Sequence, residues 1–131
     1  MDPRQEKLEA DFASLCIELD NYLEDCYEGV FNRHPNRPQR GSGANPSFDG
    51  TFSTTAAFTL GYGSEHGRGY LINIDVRTLD RVSTDLMEEI KNRAFVFTQS
   101  KLPVIFPDRK LELVRDGGLL KIIGDFSLGD V

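Results

Sequence analysis

Residues 51–76, TFSTTAAFTLGYGSEHGRGYLINIDV, decide the fold. Phe52, Ala56, Phe58 and Leu60 fall on even positions with Ser53, Thr55, Ala57 and Thr59 between them. Tyr70, Ile72, Ile74 and Val76 repeat that spacing against Leu71, Asn73, Asp75 and Arg77. Period two over eight residues describes a strand with one buried face, so the stretch reads as a β-hairpin. Equal parity on both strands makes opposed residue numbers sum to an even value and gives the loop an odd length. The reading places Glu65-His66-Gly67 at the tip with Gly67 left-handed. Ser64 then faces Arg68, Tyr62 faces Tyr70, Leu60 faces Ile72 and Phe58 faces Ile74.

Outward from the hairpin, residues 1–31 read as one amphipathic helix. Asp2 caps it, Pro3 starts it, and Leu8, Phe12, Leu15, Leu19, Tyr22 and Cys26 recur at helical spacing up to a stop at Gly29. Residues 32–50, with three prolines and three glycines, read as a linker or mobile loop. Residues 51–131 form a ββαββ core. Its helix begins at Ser83 or Thr84, carries Val82, Leu86, Ile90, Ala94 and Phe97 along one apolar face, and ends at Pro103. The last hairpin, RKLELVRDGGLLKIIGD, is expected to turn at Asp116-Gly117, which sets Leu113 against Leu120, Leu111 against Ile122 and Glu112 against Lys121. The order helix, hairpin, helix, hairpin predicts an α+β two-layer sandwich within one compact domain. Four antiparallel strands carry both helices on one face, strand order is left open, and Thr55, Thr59, Asn73, Asp75, Arg77, Glu112 and Lys121 turn toward water or a partner.

Composition excludes several function classes. The net charge is −6, and residues 1–31 hold nine acids against two bases. The one basic patch, Arg33, Arg37 and Arg40, lies in the linker, so nucleic acid is not an expected partner. No apolar run approaches the roughly 18 residues of a membrane helix, and the N-terminus opens on charges rather than a signal sequence. The expected location is the cytoplasm. Cys16 and Cys26 sit about 15 Å apart along one helix, too far for a disulfide. With only His34 and His66 besides, neither a metal site nor a cofactor is expected.

The glycine-rich stretch GYGSEHGRGY, residues 61–70, lacks both the GxxxxGK[ST] and GxGxxG patterns and leads into a strand rather than a helix. It is therefore no phosphate cradle. Gly61, Gly63, Gly67 and Gly69 share one strand face, and such bare backbone marks a place where something approaches closely. A ligand, a peptide, a second subunit or the chain's own N-terminal segment is the expected neighbour. Tyr62, Glu65, His66, Arg68 and Tyr70, with Asp75 on the adjoining strand, complete the candidate contact set. Missing catalytic motifs weigh against an enzyme. The expectation is a module that binds another protein or a second copy of itself; the alternative is an enzyme on an anionic metabolite, with His66 as acid or base and Arg68 holding the anion.

Overall fold

The computed structural model describes residues 3–31, 50–60, 67–116 and 118–124. The elements are α1 (Pro3–Cys26), β1 (Phe52–Thr59), β2 (Gly69–Val76), α2 (Thr84–Ile105), β3 (Leu111–Asp116) and β4 (Leu119–Gly124). The four strands form one antiparallel sheet in the order β1-β2-β4-β3, and both helices cover the same face. The chain is helix-strand-strand written twice. An approximate twofold relates β1 to β3 at the two edges and β2 to β4 at the centre.

The core lies between helices and sheet. From α1 it takes Leu8, Phe12, Leu15, Leu19 and Leu23, at steps of three and four; from the sheet it takes Phe52, Ile72, Leu113, Leu120 and Ile122. α2 contributes Ile90, Ala94, Thr98 and Leu102 at strict steps of four, so its buried row passes through Thr98 and leaves Phe97 half-buried. Phe97 stacks on Tyr22 with ring centroids 4.4 Å apart, which joins the two helices. Ser83 is the α2 cap, its Oγ accepting from the Leu86 N–H at 3.1 Å.

Helix α2 does not end at Pro103 but runs through it to Ile105. A proline there forgoes its own bond to the carbonyl four residues back and crowds that carbonyl. One turn later the Phe106 N–H bonds the Leu102 carbonyl at 2.9 Å, and the buried Phe106 ring packs 4.8 Å from Phe12. That burial holds the final turn closed across the proline.

Both hairpin registers differ from expectation while keeping the expected parity. In the first, Phe58 faces Tyr70, Ala56 faces Ile72 and Phe52 faces Val76, whereas the sequence reading set Tyr62, Leu60 and Phe58 against Tyr70, Ile72 and Ile74. The observed register pairs β1 with β2 along their whole length and keeps Phe52 opposite an apolar residue. The expected one would carry Phe52 past the end of β2, opposite Asp80. Gly67 has φ +70, the left-handed conformation the reading assigned to it. In the second hairpin Leu113 faces Ile122, Val114 faces Lys121 and Asp116 faces Leu119, centred one position on from the expected register, and Gly118 takes φ +85. The expected Glu112–Lys121 pair is replaced by a different one. Lys121 Nζ donates to the Asp116 carboxylate at 3.1 Å and to the Gly67 carbonyl. Lys121 was expected on the solvent-facing side of the sheet. It does point away from the helices, yet it is only 1 % exposed.

Candidate functional site

Beside β1 lies a cleft of about 440 Å³, within the range of ligand-binding clefts. One wall is a lateral stripe of α1, Glu9, Ala13, Cys16 and Ile17, residues three and four apart that share a helix side. The opposite wall is β1 itself, and Thr54, Thr55 and Ala56 all line it. Consecutive residues of a strand point to opposite sheet faces, so their joint presence means that the cleft borders the strand's backbone edge. Tyr70 and Phe12 close one end, their rings stacked with centroids 4.0 Å apart, and Phe58 meets Tyr70 edge-on at 5.5 Å.

The spacing along α1 is set by two contacts. Glu24 Oε1 accepts from the N–H groups of Thr51 and Phe52, at 2.5 and 2.8 Å, and Asp20 Oδ1 accepts from Thr54 Oγ1 at 2.6 Å. Four helix residues, about 6 Å, thus match two strand residues, about 6.6 Å. Continuing at that pace brings Cys16 over Ala56 and Phe12 over Phe58, where the cleft opens.

Which backbone groups of β1 turn away from the sheet follows from its pairing. Thr51 O accepts from the Arg77 N–H at 2.6 Å. By the alternation of antiparallel ladders, the odd residues of β1 turn their backbone groups toward β2 and the even ones, Thr54, Ala56 and Phe58, turn theirs outward. Glu24 covers the outward N–H of Phe52. No charged residue occurs from Thr51 to Leu60, and Phe58 and Leu60 are 49 % and 56 % exposed. β3, the other edge, carries Glu112, Arg115 and Asp116, the charges with which sheet edges are ordinarily protected from added strands.

Electrostatically the cleft is quiet. Burial, with Asp20 adding to it, pushes the Cys16 thiol up to about 12, so the thiol stays protonated and acts as a small apolar surface rather than a nucleophile. Burial also raises the Tyr70 phenol; Glu9 reinforces the shift and Arg109 opposes it.

Of the residues singled out in the sequence, Gly61, Tyr62, Gly63, Glu65 and His66 lie outside the described residues. Arg68 is exposed, and Asp75 pairs with Arg77 at 2.9 Å on the sheet face away from the helices. Among the described residues of the set, Tyr70 alone lines the cleft. At Gly69 the close neighbour is β4 of the same chain. A Cβ there would lie 2.4 Å from the Ile122 carbonyl oxygen and 3.2 Å from both Lys121 Cε and Ile123 Cγ2. The sequence points to the acidic amphipathic helix and the glycine-bearing hairpin as contact surfaces; the β1 edge was missed because which strand lies outermost depends on strand order. The absence of charge from Thr51 to Leu60 was the one signal present. Among the described residues no three His, Cys, Asp or Glu side chains converge as for a metal ion, and no helix is long and apolar enough to cross a membrane.

These features define a two-layer α+β sandwich with an apolar cleft beside an uncharged edge strand. The chain belongs to a protein family described as "Uncharacterised protein", whose model matches residues 3–124. It is 43 % identical over 112 residues to an "Uncharacterized protein" of Borreliella burgdorferi (strain ATCC 35210 / DSM 4680 / CIP 102532 / B31), a match covering 86 % of this chain and 88 % of that one. No solved structure matches it.

Proposed function

We propose that the chain is a non-enzymatic binding module that takes an extended polypeptide segment as an added strand along β1, beneath the α1 wall. The observation that carries this reading is the cleft bounded by the outward-facing backbone of Thr54, Ala56 and Phe58. An added strand gains main-chain hydrogen bonds there and apolar contact with Phe58, Tyr70 and Ile17. The protonated Cys16 and the neutral edge supply surface rather than reactive groups, which supports binding over turnover.

The test is selection of short peptides from a random display library against the folded chain, with affinities measured by calorimetry. Ala56→Pro removes an outward N–H while sparing the β1–β2 ladder. It should weaken selected peptides at least tenfold with the fold intact by circular dichroism. Peptides that bind Ala56→Pro and the parent chain equally would remove the strand-addition reading.

A further inference from the structure

The occupant of the β1 edge can be argued from the edge itself. We propose that it is the β1 strand of a second copy, paired antiparallel about a twofold axis at Ala56. This rests on the strand-addition reading above and names its partner.

Three observations converge on it. An isologous contact places a strand against its own sequence reversed, so any charge within it tends to meet a like charge; Phe52–Thr59 contains none. With the axis at Ala56, Thr54 opposes Phe58 of the other copy and Thr55 opposes Ala57. The half-exposed Phe58 rings then lie over β-branched threonine, a favourable cross-strand pairing. Ala56 would face its own equivalent as a hydrogen-bonded pair, and the outward groups of Thr54, Ala56 and Phe58 would exchange about six main-chain bonds.

The helices meet the same axis. The Glu24 and Asp20 contacts place the α1 residue above Ala56 close to Cys16. The cleft-side stripe of α1 is therefore centred where the strand is centred. Glu24, already bonded to Phe52 N–H, limits the new ladder to the stretch after Phe52. The result is one continuous eight-stranded sheet.

Sedimentation equilibrium of the full chain from about 1 μM to 1 mM should show a reversible monomer–dimer equilibrium. Ala56→Pro should raise its dissociation constant at least tenfold, and Val104→Lys, on the exposed outer side of α2, should leave it unchanged. A second variant is independent of stability. The axis brings the Ala56 Cα atoms to about 5.5 Å, within disulfide reach, so Ala56→Cys should form a covalent dimer under mild oxidation that Ala57→Cys and the parent chain do not form. A chain that stays monomeric at 1 mM, or a dimer insensitive to Ala56→Pro with no Ala56→Cys crosslink, overturns the second-copy assignment. If display-selected peptides still bind the edge in that case, strand addition stands and the partner is heterologous; if they do not, both readings fail.

Discussion

Two glycines of the first hairpin do different physical jobs, and substitution separates them. At Gly69 a methyl group would sit 2.4 Å from the Ile122 carbonyl oxygen, about an ångström inside ordinary contact. The obstacle is backbone, so relief requires β4 to move away from β2, and the register joining them is only Tyr70–Ile72 against Leu120–Ile122. Overpacking that forces a backbone shift costs about 1–3 kcal/mol. Weakening one or two ladder bonds adds about 0.5–1.5 kcal/mol each. Gly69→Ala should therefore destabilise by roughly 2–5 kcal/mol. At Gly67 the surroundings are open, with nothing within 4 Å of the added Cβ, but φ is +70. Gly67→Ala should cost only about 1–2 kcal/mol of left-handed strain, and Gly67→Asn less, because asparagine tolerates that conformation. Urea unfolding followed by circular dichroism measures both. With a slope of about 1–3 kcal/mol per molar urea, the Gly69→Ala midpoint should fall by roughly 0.7 M or more. A Gly69→Ala protein within about 0.5 kcal/mol of the parent, below the usual cost of overpacking, or a Gly67→Asn protein worse than Gly69→Ala, would refute this division of labour.

The Cys16 thiol, raised to about 12 by burial, makes stability fall with alkaline pH. The unfolded thiol ionises near 8.5 and the folded one does not, so the contribution is complete below that value and is lost toward pH 12, at up to about 1.4 kcal/mol per unit. Chemical denaturation at pH 8, 9 and 10 should show a shallower decline in Cys16→Ala than in the parent. Leu19→Ala, at a fully buried site, should lose about 2–5 kcal/mol, while Ser83→Ala, which removes the α2 cap, should lose about 1 kcal/mol; thermal unfolding ranks the two. Glu24→Ala leaves the Thr51 and Phe52 N–H groups without their carboxylate and should destabilise by about 1–3 kcal/mol, with faster amide exchange at those two residues.

The layers were legible because periodicity reports burial directly. The even positions Phe52, Ile72 and Ile74, the stripe of α1 from Leu8 to Leu19 and the Ser83 cap are where spacing put them. Phe58 and Leu60, read onto the buried face, are instead 49 % and 56 % exposed because β1 lies at the sheet's edge. Registers were not legible, because sums that differ by two or four keep the same face buried and leave the choice to tertiary contacts. Tyr70 is held between Phe12 and Phe58, which come from two other elements, and no local rule encodes that arrangement. Lys121 misled for a related reason. Charge pairing across the strand pointed to Glu112, yet the amine reaches diagonally to Asp116 and to a loop carbonyl from the other hairpin. Pro103 read as a stop because local chemistry omits the burial of Phe106 one turn beyond it. The candidate cleft was least legible of all, since it exists only once β1 is known to be outermost.

The repeated helix-strand-strand order has a kinetic consequence. Each half draws its strand pairing from residues close in the chain, β1 with β2 and β3 with β4, and contacts of short sequence separation form early because little chain entropy is lost in closing them. The seam between β2 and β4 joins residues some fifty positions apart through a short ladder, and with the packing of α1 on α2 it is the part whose closure costs most. Folding should then proceed as two hairpin-bearing halves that meet late. Core substitutions at the seam, such as Ile72→Val, should slow folding less than they speed unfolding.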